Sequence, residues 1–295
     1  KKEKPDLVIV RYWLPFMGPS LGTIVRRIKS NNHTKVICLA DNVIPHENRV
    51  GDKLFTTYFL KSVHAVLAMT QKVLDDALSF RELPIGLSPH PIFDNYGLIE
   101  SKEAACDKLG LDSSIDYLIF FGLIRDYKGL DILLDALADE RLKNDSIKLI
   151  IAGEFYSNAE KYHEQINRLG LSERIILRDI YIPDSEVANY FNAASLVVQP
   201  YKTATQSGVT QVAYHFNKPM VVTNVGGLKE MISDGKVGFV VEPNAKVLAT
   251  AIHRFFSEDK SAEFQQNMLE EKKKYGWPIL VNAFDGLYNK IDSND

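Results

Sequence analysis

The chain has 295 residues, 45% of them hydrophobic and 25% charged, with a formal net charge of −3. This composition excludes a disordered or low-complexity chain, and the length suffices for two domains with separate cores. No apolar run nears the roughly 20 residues that cross a bilayer, no signal peptide opens the chain, and the two cysteines, Cys38 and Cys106, suggest neither a disulfide framework nor a metal cluster.

The chain opens on KKEKPDLVIV, a basic helix end that runs into a first apolar strand, DLVIV (6–10). KVICLA (35–40) and HAVLAM (64–69) follow, each ahead of a helix-like stretch. The rhythm breaks between residues 84 and 114, at PIGLSPHPIFDNYG, where Pro and Gly mark a linker. It resumes with LIFFG (118–122), KLIIAG (148–153), RIILRD (174–179), SLVVQP (195–200), PMVVT (219–223) and GFVV (238–241). Runs that are apolar on both faces and alternate with amphipathic helices indicate parallel sheets covered on both sides, hence an α/β fold. The division expected is a first domain over 1–97, a second over 98–275, and a terminal helix in 276–295 that packs across the domain boundary. Three strands before the linker are few for a covered parallel sheet, so the first domain is expected to be incomplete, with its opening strands upstream.

The chemistry concentrates in the second domain. In IFFGLIRDYKGLDILLDALA (119–138) a strand ends at Gly122, a loop carries Arg125 and Lys128, and Gly129 leads into a helix with Leu130, Leu133, Leu134 and Leu137 on one face. Two cations at the carboxyl end of a parallel strand suit a diphosphate, Arg as a bidentate fork and Lys as a compact charge. The competing reading is a solvated loop with an Arg125–Asp126 pair. Gly153 and Glu154 end the next strand, and IYIPDSEVANYF (180–191) puts Pro183 before an N-cap-like Asp184. The uncharged turn TATQSG (203–208) then separates a buried strand from a helix. Thr and Ser there can be ordinary helix caps, or the turn can present backbone N–H groups to an anion. All four segments fall on one rim of the sheet, which favours the anion cradle.

These segments carry a family resemblance. FFGLIRDYKGLDILLDA, LIIAGE, YIPDSEVANYFNAASLVVQPY and TNVGGLKEMI resemble the family 4 retaining glycosyltransferases (glycosyl transferases group 1) over nearly all of residues 112–275. DNVIPHE (41–47) and SVHAVLAMTQKVLDDA (62–77) are similar to the middle and end of that family's acceptor-binding domain, whose opening strand and glycine-rich loop have no counterpart here. The resemblance implies the GT-B architecture, two Rossmann-like domains facing a cleft. Arg125 and Lys128 match the pair that holds the donor diphosphate. Gly153, Glu154 and the backbone at Ile182 fall where the nucleoside is seated, and Gln206, Ser207 and Gly208 match the phosphate loop; Gly122 and Thr205 are further donor-binding candidates. Two glutamates usual in this region are replaced by Ala204 and Val212. Many relatives carry a His where this chain has Asp41. Asp41 and His46 are candidate acid, base or acceptor-orienting groups, His46 alternatively a structural histidine after Pro45.

Among the remaining histidines none has metal-ligand spacing, and no D-x-D triplet occurs. The expectation is a metal-independent, retaining transfer of a sugar from a nucleoside diphosphate donor, UDP among the candidates, to a glycan or lipid-linked acceptor, with no cofactor and no nucleic-acid partner. Residues 1–97 hold 13 Lys/Arg against 9 Asp/Glu, which suits a cytoplasmic protein in peripheral contact with an anionic membrane face. A nucleotide-sugar epimerase, with Asp41 and Glu154 as its carboxylates, and a non-catalytic nucleotide-sugar-binding subunit are the alternatives.

Overall fold

Every apolar run singled out above is a strand in the computed structural model, which describes residues 3–44, 49–143, 147–156, 158–204 and 206–293. The chain forms two units, Lys1–Pro91 with Lys274–Asp295, and Ile92–Lys273. The first begins β1 (Leu7–Tyr12), α1 (Gly18–Lys29), β2 (Lys35–Ala40), α2 (Asp52–Leu60), β3 (Ala65–Ala68), α3 (Gln71–Phe80) and β4 (Ile85–Leu87). The second runs α4 (Lys102–Leu109), β5 (Asp116–Phe121), α5 (Leu130–Leu137), β6 (Ile147–Ala152), α6 (Glu160–Arg168), β7 (Ile175–Arg178) and α7 (Asp184–Ala193). It continues β8 (Leu196–Gln199), α8 (Gly208–His215), β9 (Met220–Thr223), β10 (Gly238–Val241), α9 (Ala245–Ser257) and α10 (Ser261–Glu271). The terminal helix α11 (Trp277–Asp292) returns to the first unit.

The first sheet is parallel and ordered β1-β2-β3-β4. One-way winding with right-handed crossovers sends the connecting helices to one face. On that face Val36, Cys38, Ala40, Val66 and Ala68 pack with Val25, Phe59, Val73 and Ala77. The alternate residues of the same strands, Ile37, Ala65 and Leu67, point the other way, and no crossover helix serves them. The stripe Leu280, Phe284, Leu287 and Ile291 of α11 covers them, each such burial contributing about 1.5–3 kcal/mol.

The expected count of three strands before the linker needs correcting to four, because Ile85–Leu87 pairs with Val66–Ala68. Pro84 and Gly86 disguise this strand as a linker. Pro84 sits just ahead of an edge strand, where a missing N–H costs nothing, while its carbonyl accepts from Val66 N at 3.0 Å.

The second sheet is parallel in the order β10-β9-β8-β5-β6-β7. The chain winds outward from β5 to β7, then starts again beside β5 and winds the other way from β8 to β10. Its core contains Leu118, Phe120, Leu149, Ile151, Val198 and Phe255, with Leu130, Leu133, Leu134 and Leu137 of α5 buried as their spacing predicts. The reversal between β5 and β8 is where open α/β sheets leave a crevice at the carboxyl ends of their strands.

Candidate functional site

The loops after β5 and β8 meet at this reversal. Gly129 starts α5 with φ +69°, and a Cβ there would lie 2.0 Å from the Pro200 carbonyl oxygen, so only glycine lets the two loops touch. Lys202 N donates to Tyr127 O at 2.7 Å across the same contact. On the other side, Gly122 N donates to Ala152 O, and Gly153, at φ +145°, would drive a Cβ to within 2.2 Å of Gly122 O. Ile124 N donates to Glu154 O at 2.9 Å and Tyr156 N to Ile124 O at 3.1 Å. The Arg125–Lys128 loop is thus tied to its neighbours by backbone on both flanks.

Lys128 is only 8% exposed, and among the described residues it has neither a hydrogen bond nor an ion pair. Its amine lies where a Cβ on Gly122 would come within 3.3 Å, and 5.9 Å from the centre of the Tyr201 ring. Burial, with a further push from the Arg125 charge, lowers its pKa from 10.5 to about 8. Arg125 also lacks an acidic partner among the described residues, and its guanidinium carbon lies 4.0 Å from the centre of the Tyr156 ring. The competing Arg125–Asp126 pair is absent: Asp126 is held instead by Lys161 and by Tyr162 Oη at 3.2 Å. Two cations three residues apart, one of them desolvated, stand at the end of β5 without counter-charge among the described residues. A diphosphate would supply it.

The TATQSG turn leads into α8. Ser207 occupies the N-cap position but does not cap, since its hydroxyl is bonded to Tyr201 Oη at 3.1 Å. The first amides of α8 therefore have no side-chain cap, which leaves them available to an anion. The missing Cβ of Gly208 has a reason inside the fold, because it would lie 3.1 Å from the Phe93 ring. Beneath the helix start, Thr210 Oγ1 donates to Gln199 Oε1 at 3.1 Å and Thr223 Oγ1 to Tyr201 O at 2.6 Å, a buried polar layer that anchors the turn. Ala204 and Val212, which stand in place of the two glutamates, are both buried. Thr205 lies outside the described residues.

Ile182 is buried on the loop after β7, and Glu154 is exposed at the end of β6. Asp179 Oδ1 accepts from Phe155 N at 3.2 Å, which links those two loops. The cap of α7 is one residue earlier than the sequence suggests: Pro183 holds the N-cap position and Asp184 is the first helical residue. Its fixed φ suits that entry, and the acid lies in the first turn, where the helix dipole favours it. Gly122, Arg125, Lys128, Gly153, Glu154, Ile182, Gln206, Ser207 and Gly208 all lie at the carboxyl ends of the second unit's strands or on the loops that follow them.

Asp41 belongs to the first unit, just after β2. Its carboxylate accepts from Arg11 Nε at 2.6 Å and Nη2 at 3.0 Å, a bidentate pair that occupies both carboxylate oxygens. His46 lies outside the described residues. His90, passed over in the sequence because SPHPIF reads as linker, follows β4 and bonds through Nδ1 to Pro91 O at 2.7 Å. Burial lowers its pKa, while the charges of Asp41 and Arg11 act on it in opposite directions. Among the described residues no group of three His, Cys, Asp or Glu side chains could hold a metal ion, and no helix is long and apolar enough to cross a membrane.

Residues 116–258 match the family model "Glycosyl transferases group 1". A D-inositol 3-phosphate glycosyltransferase of Streptomyces avermitilis is 25% identical over 96% of this chain and 65% of its own length. The chain spans about half the length of other curated relatives it matches. Among solved structures, sucrose-phosphate synthase from Thermosynechococcus elongatus superposes with a TM-score of 0.79 at 17% identity, over 98% of this chain and 74% of that one. Anabaena HepE in complex with UDP superposes at 0.77 and 17% identity, over 98% and 79%. These likenesses agree with two α/β units built on parallel sheets. Over residues 116–258 the chain matches glycosyl transferases group 1, and its two parallel-sheet units have the GT-B fold.

Proposed function

We propose that the chain belongs to a retaining glycosyltransferase that moves a hexose-type sugar from a nucleoside diphosphate to a glycan or lipid-linked acceptor in cell-surface polysaccharide synthesis. The observation that carries this reading is Lys128, a buried amine with no hydrogen bond or ion pair among the described residues, beside Arg125, which has no acidic partner among them, at the strand-order reversal. Breaking a sugar–phosphate bond builds negative charge on the departing diphosphate. Lys128, Arg125 and the uncapped amides of α8 would stabilise it without rearrangement, the largest kind of catalytic contribution such a site offers. That arrangement supports a metal-independent transfer. Front-side attack by the acceptor hydroxyl, with a donor phosphate oxygen taking its proton, follows from the family resemblance and accounts for retention.

UDP is the first nucleotide to try, since HepE was solved with UDP and with UDP-glucose. The excess of Lys and Arg in residues 1–97 supports peripheral work at the cytoplasmic face of a membrane. The epimerase alternative loses one of its two carboxylates to Arg11, and the binding-subunit alternative rests on Ala204 and Val212 standing in place of the two glutamates. The test is incubation with labelled UDP- and GDP-sugars and lipid-linked acceptors, with and without EDTA. Release of nucleoside diphosphate with a sugar of unchanged configuration on the acceptor, insensitive to EDTA, is expected. An epimerised sugar, an inverted linkage or binding without turnover would each overturn the reading.

A further inference from the structure

We propose that Tyr156 is a positioning residue that grips the Arg125 guanidinium by its face and leaves its in-plane N–H groups open to the donor diphosphate. The proposal rests on the reading of Arg125 as a diphosphate ligand. Other arginines spend their donors within the fold: Arg11 on Asp41, Arg141 on Asp139, Arg26 on the carbonyls of Gly22 and Tyr58. Arg26 also stacks, at 3.9 Å over Tyr58, but its N–H groups are committed. Arg125 stacks at 4.0 Å over Tyr156 and, among the described residues, commits none of them.

A carboxylate in that place would neutralise the charge and occupy the fork that must meet phosphate oxygens. An aromatic face does neither: it attracts the cation through its quadrupole and fixes the plane of the guanidinium. The backbone prepares the pairing. The hydrogen bonds Ile124 N to Glu154 O and Tyr156 N to Ile124 O set residues 125 and 156 on adjoining loops. The ring is 67% exposed and adds little to the core, so its removal should leave the second unit folded.

The experiment is calorimetric titration of UDP and GDP, each against its nucleoside, into wild type, Tyr156→Leu, Tyr156→Phe, Arg125→Ala and the Arg125→Ala/Tyr156→Leu double variant. Tyr156→Leu is expected to weaken diphosphate binding by about two- to fivefold, the measure of an exposed cation–π contact, and to leave nucleoside binding unchanged. Tyr156→Phe keeps the ring face and should bind as wild type does. In the Arg125→Ala background the tyrosine substitution should have no further effect. Wild-type affinity in Tyr156→Leu alongside weakened Arg125→Ala overturns the positioning role alone. So does a loss that extends to the nucleoside or persists without Arg125. Arg125→Ala binding as wild type does, or a wild type with no preference for diphosphate, overturns the reading of Arg125 itself.

Discussion

Replacing Lys128 by methionine should make the second unit more stable and the site weaker at once. Methionine keeps most of the apolar stem and discards the charge. The fall of the lysine pKa from 10.5 to about 8 corresponds to about 3 kcal/mol spent on keeping the charged amine in its buried place at neutral pH. Urea unfolding at pH 7 should therefore show Lys128→Met more stable by about 1–3 kcal/mol, unlike most substitutions at buried positions. The folded pKa lies below that of the unfolded chain, so the cost is fully present below pH 8 and is relieved as pH rises from 8 towards 10.5; the gap between the proteins should narrow over that range. Binding should run the other way. Losing one hydrogen-bonded charge should weaken UDP about ten- to a hundredfold at pH 7. Wild-type affinity should itself decline above pH 8 as the free protein's amine loses its proton, and Lys128→Met should show no such decline. A variant that is less stable than wild type and binds UDP equally well would refute both halves of this reasoning.

Gly153→Ala should lower the melting temperature sharply, by the equivalent of more than about 2 kcal/mol, because its Cβ would lie 2.2 Å from Gly122 O on backbone held at φ +145°; an unchanged melting curve would show that the two strand ends can part. Gly208→Val should reduce stability through the Phe93 ring, 3.1 Å from the new Cβ. A Phe93→Ala background should restore that stability, and UDP affinity lost in both backgrounds would mark close approach of the α8 backbone to phosphate. His64 Nδ1 accepts from Val36 N at 2.8 Å, and burial lowers its pKa from 6.5 to about 4. Stability of the first unit should therefore be lost as pH falls from 6.5 through 4, and a His64→Asn variant monitored by hydrogen exchange should show a shallower loss.

The second unit was readable because its signals are local. Strands such as Leu149–Ile151 are apolar on both faces, and the helix after Gly129 keeps its leucines on one side. Arg125 and Lys128 were visible as a pair on one loop, but the sequence could not tell whether Asp126 neutralised them. That depended on Lys161 and Tyr162, which approach from another helix. Tyr201 and Tyr156 escaped notice because a tyrosine acquires its part here only through what it touches: the Ser207 hydroxyl in one case, a guanidinium in the other. In the first unit, Pro84 and Gly86 hid an edge strand among turn signals, and His90 with it. The pairing of Asp41 with Arg11 joins the ends of two strands 30 positions apart, a distance no spacing rule reaches.

The return of α11 to the first sheet orders events during synthesis. The second unit is one continuous stretch, Ile92–Lys273, and can complete its sheet as soon as that stretch has left the ribosome. The first unit cannot. Its strands emerge early, yet the face formed by Ile37, Ala65 and Leu67 waits for Leu280, Phe284, Leu287 and Ile291. At the usual 5–20 residues per second, the roughly 200 intervening residues mean about 10–40 s of delay. Throughout that interval an apolar face of the first sheet stays open, so a chain cut short before α11 would carry its defect in strands made roughly 200 residues earlier.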